Sequence, residues 1–296
     1  ARSGTSWTLL QKLAASDATN GSYFGSAVAL SADGNTAMVG ADGRTEGSAF
    51  AAGAVYVFAR VAGRFTEQQR LIASDRAANS GFGLSLALSA DGNTALIGAD
   101  GVSSGSVLGH GAVYVFSRSA GSYVEQQKLI AGDMASSDAF GWSVALSADG
   151  NTALIGANGK AEGALPRSGA AYLFSRSGAT FSQLQKLTAS DRGSGDAFGE
   201  SVALSADGNT ALIGAMYEDD GGTANNGAVY LFVRGTAAYA ETQKLLAGDR
   251  ATGDWFGGSV ALSADGSFAF VGASFEEDAG FSSSGAVYVF ARAGTS

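Results

Sequence analysis

The chain contains 296 residues, carries a net charge of −9 and has no cysteine. The negative charge argues against nucleic-acid binding, because contacts with phosphates need clustered Lys and Arg. The missing cysteines exclude disulfides and thiolate chemistry, and the sequence has no run of about 18 apolar residues that would predict a membrane span.

Two phrases recur along the chain at a constant interval of 58 residues. The dipeptide Phe-Gly begins at Phe24, Phe82, Phe140, Phe198 and Phe256. The phrase Gly-Ala-Val/Ala-Tyr-Val/Leu-Phe begins at Gly53, Gly111, Gly169, Gly227 and Gly285. Repeats of this length are typical of stacked or radially arranged units, and no linker interrupts them. We therefore predict a single domain over residues 1–296.

The third copy shows the predicted strands of one unit in chain order. The side chains of residues 142–147 alternate in character, as they do in a half-buried strand. The Ala-Asp-Gly-Asn turn at 148–151 predicts a hairpin. Residues 152–157 form the returning strand, followed by a third strand at 170–174 and a fourth at 181–187. Four antiparallel strands in one unit predict a propeller blade. No helical periodicity competes with this interpretation.

The two ends of the chain predict how the blades close. Residues 7–13 match the fourth strand of every copy, because aromatic residues stand at the same position in Trp7, Phe65, Tyr123, Phe181 and Tyr239. The last copy reaches only its third strand, at residues 286–292. Pairing 7–13 with 286–292 would remove two unpaired strand edges. We therefore expect an all-β, five-bladed β-propeller with four antiparallel strands per blade, in which the N-terminal strand completes the last blade.

The repeated unit resembles the FG-GAP repeat. The resemblance rests on Phe-Gly, a strand and then Gly-Ala after the hairpin, as in Phe140-Gly141 to Gly156-Ala157, and it covers the whole chain. The segment Gln-Lys-Leu-x-Ala-x-Asp before Phe-Gly looks like the bacterial variant. The FG-GAP repeat forms the blades of integrin α-subunit heads and of many secreted bacterial proteins. The resemblance implies a propeller at the cell surface or outside the cell that binds partners. The family's usual ring has seven blades, whereas this chain has residues for five.

The calcium loops of integrin-type blades are not carried over to this chain. The hairpin at Ala32–Asn35 and its equivalents offer one carboxylate each. Calcium needs six to eight oxygen ligands. We expect neither a metal nor another cofactor.

Residues that catalysis needs are sparse in this sequence. His110 is the only histidine, and we expect it to be a solvated loop residue, so a Ser-His-Asp arrangement is not predicted. Glu200 is the only carboxylate expected near the central axis, whereas glycosidases use two or three. We therefore predict a protein that is not an enzyme.

Several residues are identical in all copies, and we interpret them as structural. The hairpin aspartates are Asp33, Asp91, Asp149, Asp207 and Asp265. The phenylalanines of Phe-Gly are expected to wedge between blades. Two further series are expected to pair across blades or, alternatively, to form a fivefold ligand array. These two series are Asp17, Asp75, Asp133, Asp191 and Asp249, and Arg60, Arg118, Arg176, Arg234 and Arg292.

The loops that differ between copies are the predicted binding face, since loops on a rigid scaffold carry recognition. Copies four and five supply the candidate residues Tyr217, Glu218, Asp219, Asp220, Trp255, Phe275, Glu276, Glu277 and Asp278. Arg44, Lys160 and Arg167 are expected opposite them.

Three interpretations of this acidic and aromatic sector remain open. It could recognise a protein or a glycan, hold a divalent cation, or serve as a solvated acidic face. Accordingly, the predicted function is a non-catalytic extracellular or cell-surface binding module. The alternatives are a structural subunit of a larger assembly or filament, and a lectin-like or glycoside-active propeller.

Overall fold

A computed structural model describes residues 2–3, 6–277 and 281–293. A short hairpin of β1 (Arg2–Ser3) and β2 (Ser6–Trp7) precedes five antiparallel sheets, which follow one another in chain order. These five sheets confirm the predicted five-bladed, all-β architecture. Among the described residues, no helix has the length and apolar character needed to cross a membrane.

The strands of each blade run in chain order from the inner edge to the outer edge. Blade one contains β3 (Val28–Leu30), β4 (Thr36–Ala41), β5 (Ala54–Val61) and β6 (Arg64–Leu71). Blade two contains β7 (Ser85–Leu88), β8 (Thr94–Ala99), β9 (Ala112–Ser119) and β10 (Ser122–Leu129). Blade three contains β11 (Ser143–Leu146), β12 (Thr152–Ala157), β13 (Ala170–Ser177) and β14 (Thr180–Leu187). Blade four contains β15 (Ser201–Leu204), β16 (Thr210–Ala215), β17 (Ala228–Arg234) and β18 (Tyr239–Leu245), with a 3-10 turn at Asp220–Gly222. Blade five contains β19 (Phe256–Leu262), β20 (Phe268–Ala273) and β21 (Ala286–Ala291).

The burial of each strand follows from its place in the blade. The second strand of blade three, β12, is buried along its whole length because other blades cover both of its faces. The outer strand β14 is largely exposed, with its buried residues at intervals along it, as expected for an edge strand. The predicted hairpin forms: Asp149 accepts hydrogen bonds from the Ser147 hydroxyl and from the backbone and side-chain amides of Asn151, at 2.5–3.0 Å.

The joints between successive blades use the repeated residues. The Phe140 ring is fully buried between blades two and three, with the Tyr172 ring at 5.5 Å. Its backbone N–H donates to the His110 carbonyl at 3.0 Å, so the two recurring phrases meet across each joint. Arg176 in blade three donates to the Thr94 hydroxyl of blade two at 2.8 Å. The predicted wedge role is confirmed for Phe82, Phe140, Phe198 and Phe256. The predicted inter-blade role of the arginines is seen for Arg118 and Arg176.

The expected closure of the last blade is not formed in this structure. Among the described residues, β21 pairs only with β20, and residues 8–13 form no strand. Trp7 is 79% exposed. The N-terminal segment lies on blade one, where the Gln11 carboxamide bonds the backbone N–H and C=O of Phe65, at 3.0 and 2.8 Å. Blade five does not reach this segment, since the Val287 and Val289 side chains of β21 remain exposed.

Candidate functional site

The variable loops of blades four and five meet on one face of the propeller. Tyr217 follows β16, Trp255 immediately precedes β19, and Phe275 follows β20. The Trp255 ring lies 5.4 Å from the Tyr217 ring in an edge-to-face arrangement and 4.1 Å from the Phe275 ring. Ring pairs of this kind add about 0.5–1.5 kcal/mol beyond their buried area. We call Tyr217, Trp255 and Phe275 the aromatic patch; sequence analysis predicted all three residues.

Trp255 adopts a backbone conformation that is unusual for its residue type. Its φ is 59°, in the left-handed region that favours glycine. The equivalent residues of the other copies share this conformation: Tyr23, Gly81, Ala139 and Ala197. The repeat imposes the geometry, and a bulky side chain there costs about 1 kcal/mol or more. Only glycine lacks the Cβ atom that causes this strain, so the indole ring is held in a conformation that its backbone does not favour.

A hollow of about 320 Å³ adjoins the aromatic patch between blades three and four. Glu200 lines it and is half-buried, with its carboxylate oxygens accepting from the Trp142 indole at 3.1 Å and the Asn158 amide at 2.7 Å. The Arg167 guanidinium lies 5.8 Å from the Tyr217 ring centre. The hollow thus joins an oriented carboxylate, a cation and aromatic surface.

A second hollow of about 690 Å³ lies on the other side of Trp255, along blade five. Its lining includes Met216, which borders both hollows, and the small residues Ser259 and Gly272. Val287 of β21 lines this hollow too. This hollow therefore reaches the face of blade five that no other blade covers.

Among the described residues, the acidic side chains do not form the cluster that the sequence suggested. Glu218 and Glu276 are 4% and 6% exposed, and Lys244 Nζ lies 2.7 Å from the Glu218 carboxylate. Asp219 is exposed and accepts the Asn225 backbone N–H at 2.6 Å, and Glu277 is exposed. Asp220 begins the 3-10 turn, whereas Asp278 lies outside the described residues. The described part of the chain holds no group of three His, Cys, Asp or Glu suited to a metal.

The expected positions of three cations require correction. Arg44 and Lys160 are 8% and 4% exposed, because they share the buried loop position that Glu218 occupies in copy four. Lys160 donates to the Asp138 carboxylate at 3.0 Å inside its own blade. Arg167 stands beside Tyr217 rather than opposite it.

Two buried groups of blade four, Asp196 and Tyr230, have shifted pKa values. Burial raises the pKa of Asp196, and the nearby carboxylate of Asp219 adds to the shift. Burial and the Asp191 hydrogen bond raise the pKa of Tyr230 far above its ordinary value.

The repeated aspartates act as internal anchors and not as a ligand array. Asp75 Oδ1 accepts from the Tyr114 hydroxyl at 2.7 Å, and its Oδ2 lies 2.6 Å from Lys128 Nζ. Burial opposes ionisation of Asp75, but Lys128 and Tyr114 outweigh it and lower its pKa. Similarly, burial and the Asp17 carboxylate raise the pKa of Tyr56 to about 12. These contacts fix the start of each copy to the third strand of its blade.

His110 is buried and not solvated as expected, with 2% of its surface exposed. Its Nδ1 lies 2.7 Å from the Gly111 carbonyl at the joint between blades two and three. It has no place in the candidate site.

Sequence reasoning missed Trp142 and Asn158 as site residues. Trp142 stands directly after Phe140-Gly141, where the other copies have Ser26, Leu84, Glu200 and Gly258. This position therefore varies strongly between copies although its neighbours do not. A residue-by-residue comparison of the copies, beyond the loops, would have found it.

The fold defines an all-β propeller whose variable loops gather on one face. A family model described as FG-GAP repeat matches residues 7–58, 65–116, 123–174, 181–232 and 239–290. The chain therefore belongs to the FG-GAP repeat family, as the sequence predicted. No curated protein matches the chain.

Two solved structures share the fold. One is a periplasmic gluconolactonase of Pseudomonas aeruginosa, with 18% sequence identity and a TM-score of 0.55, covering 83% of this chain and 64% of that one. The other is the Kuenenia stuttgartiensis hydrazine synthase, with 16% identity and a TM-score of 0.58, covering 90% of this chain and 71% of that one. At these identities the likeness shows the fold alone. The chain thus spans less than two thirds of the gluconolactonase.

Proposed function

We propose that this propeller is a non-catalytic recognition module that binds a glycan through the aromatic patch and the adjoining hollow. The observation that carries the proposal is the contact of Trp255 with both Tyr217 and Phe275, at 5.4 and 4.1 Å. Interface energy concentrates in Trp and Tyr anchors of this kind. The left-handed backbone conformation of Trp255 also supports the proposal, since strained residues cluster at functional sites.

The chemistry of the hollow favours a sugar over a protein surface. A sugar ring presents an apolar C–H face, which packs on aromatic rings, and hydroxyl groups, which bond to charged side chains. Glu200 offers acceptors and Arg167 offers donors beside Tyr217. A hollow of about 320 Å³ suits a small ligand unit and is narrow for a protein contact. A protein partner on the same patch is the second candidate.

The absence of catalysis and the extracellular location are part of the same proposal. Both carboxylate oxygens of Glu200 accept from fixed donors, the Trp142 indole and the Asn158 amide, so they are positioned as acceptors. Among the described residues that line the hollow, Glu200 is the only carboxylate, whereas glycosidases use two or three. The family resemblance supports a location at the cell surface or outside the cell. A neighbour described as periplasmic is compatible with this location.

A glycan array followed by titration calorimetry tests the proposal. Trp255→Gly removes the indole and suits the left-handed backbone, so the fold should keep its stability. We expect binding to weaken by about 30-fold or more, as for a hot-spot anchor. Tyr23→Gly is the matched control, because Tyr23 has the same conformation in blade one and lines neither hollow. Equal losses in both variants, or no binding to any glycan, would contradict the proposal, and hydrolysis of an array glycan would overturn its non-catalytic part.

A further inference from the structure

The outer face of blade five is exposed where every other blade is covered. Val287 and Val289 of β21 are 66% and 56% exposed, and Phe270 of β20 is 47% exposed. The residues equivalent to Val287 are fully buried: Val55, Val113, Ala171 and Val229. The residues equivalent to Phe270 are fully buried too: Met38, Leu96, Leu154 and Leu212. In blades one to four, the following blade provides this cover.

Blade one shows the complementary exposure on its opposite face. Val28 and Leu30 of β3 are 71% and 59% exposed. Their equivalents in blade two, Leu86 and Leu88, pack against a core that blades one and two share. Blades one and five of this chain therefore expose the two halves of the same kind of joint.

The N-terminal segment marks where a preceding blade would sit on blade one. Gln11 bonds both backbone groups of Phe65, at 2.8 and 3.0 Å. At the internal joints, a glutamine of the outer strand does the same to the next blade, as Gln127 does to Phe181 at 2.8 Å. Ser16 likewise bonds the Glu67 carboxylate, as Ser74 bonds that of Glu125. Residues 11–16 thus occupy the place of an outer strand that belongs to a blade before blade one.

Blade five is the blade whose described sheet has no outer strand, and its charges fit the same segment. Asp75, Asp133 and Asp191 each pair with a lysine of their blade's outer strand, within 2.8 Å. Among the described residues, Asp249 of blade five accepts from the Tyr288 hydroxyl but forms no such ion pair. Lys12 holds the lysine position in the N-terminal segment, and it is exposed.

We propose that blade five docks onto blade one of a second copy of this chain, so that copies associate head to tail. A second copy fits because it presents the complementary face together with a segment already placed to complete the sheet of blade five. Within one chain the two faces do not meet, since both remain exposed and four repeated joints fix the blades between them. Head-to-tail contacts join unlike surfaces, so they continue into a ring of copies or a filament.

The strand pairing inside the other blades predicts the register in which β21 would pair with the N-terminal segment of the second copy. The pairing of β13 with β14, moved to blade five, places Val287 opposite Leu13, Tyr288 opposite Lys12 and Ala291 opposite Thr8. Lys12 then reaches Asp249 as Lys186 reaches Asp133. The hydrogen bonds that link successive hairpins continue from the Ala264 N–H to the Ala32 carbonyl of the second copy, as in Ala206 to Ala264.

Light scattering of the 296-residue chain over a range of concentrations gives the first test. We expect the mass to rise with concentration in steps of one chain. Val287→Lys with Val289→Lys should weaken association about hundredfold, because two apolar side chains lose their cover. The matched control, Val124→Lys with Leu184→Lys, changes exposed apolar residues of other outer strands and should leave association unchanged. A chain that stays monomeric at every concentration would overturn the proposal, as would equal losses in both variants.

Cysteine cross-linking separates contact between copies from closure within one chain. The chain has no native cysteine, and Ala291 and Thr8 should lie directly opposite, within disulfide reach. Ala291→Cys and Thr8→Cys are made in separate proteins, mixed and oxidised. A disulfide-linked pair of the two proteins is the expected result, and Ala291→Cys mixed with Val124→Cys should give none. If the mixture does not cross-link while a single chain carrying both substitutions cyclises, blade five closes onto its own blade one and the proposal is wrong.

Discussion

Replacing Gly156 with alanine tests how closely neighbouring blades approach. A methyl group at Gly156 in β12 would overlap the Gly199 carbonyl of blade four and the Ser143 hydroxyl. That carbonyl is backbone, and the Ser143 hydroxyl donates to it at 2.8 Å, so it cannot rotate away. Overpacking costs about 1–3 kcal/mol, and a clash with backbone lies at the upper end. We expect Gly156→Ala to lower the free energy of unfolding by about 3 kcal/mol.

Gly272→Ala is the matched control, because Gly272 holds the same position in blade five. There the new methyl group would overlap only the hydroxyl of Ser259, which can turn aside. We expect a change within about 0.5 kcal/mol. Urea unfolding, followed by tryptophan fluorescence at a concentration where the chain is monomeric, measures both variants. A Gly156→Ala variant as stable as the wild type would refute the close approach. An equal loss of unfolding free energy in both variants would show that another blade covers blade five in the monomer.

Three further predictions concern the repeated polar contacts and pH. Tyr172→Phe removes the 2.8 Å hydrogen bond to Asp133 and should cost about 1–2 kcal/mol of unfolding free energy in urea titrations, with the exposed Tyr23→Phe as a neutral control. Asp149→Ala leaves the Ser147 and Asn151 donors of the hairpin without their acceptor, and thermal unfolding should show a loss of about 1–2 kcal/mol that Asp149→Asn partly restores. Among the described residues, the folded state lowers the pKa of nine carboxyl groups and raises that of two, Asp100 and Asp196. Groups with lowered pKa stabilise the fold above their unfolded value and lose that contribution as pH falls through the folded value. The urea midpoint should therefore drop as pH falls below about 4, and a midpoint that rises there would contradict this sign.

The strands were predictable because the repeat shows the same pattern five times. Residues 152–157 coincide with β12, since a run of apolar residues between two turns leaves little choice. The third strand continues to Ser177, beyond the predicted end at 174. Its polar last residues pair with β14 across the outer hairpin, and apolar pattern alone cannot reveal that extension.

The burial of the loop charges was not predictable from polarity. Arg44, Lys160, Glu218 and Glu276 all lie in polar, glycine-rich loops, which normally face solvent. The loop folds over this position in every copy, so its side chain is enclosed whatever its charge. Val102, the equivalent residue of copy two, was the one available signal, since an apolar residue suits a buried position.

The chemical character of the N-terminal segment could be predicted from the sequence, but the copy of blade five that it contacts could not. The sequence matched residues 7–13 to an outer strand, and Gln11 and Ser16 hold this segment as outer strands are held at the internal joints. Which copy of blade five receives it depends on the rotation at each joint. That rotation arises from side-chain packing over four joints, and one sequence pattern does not specify it.

The aromatic patch and the uncovered face of blade five share one hollow, so ligand binding and association should be linked. Trp255, Ser259, Gly272 and Val287 all line the hollow of about 690 Å³. A second copy docked on Val287 would narrow this hollow from its open side. A bound glycan that reaches Ser259 would then compete with docking, and by linkage each event weakens the other by the same factor. Light scattering at saturating glycan should show dissociation, and Trp255→Gly should abolish that effect. If saturating glycan leaves the mass unchanged, the ligand lies wholly on the Glu200 side of the patch.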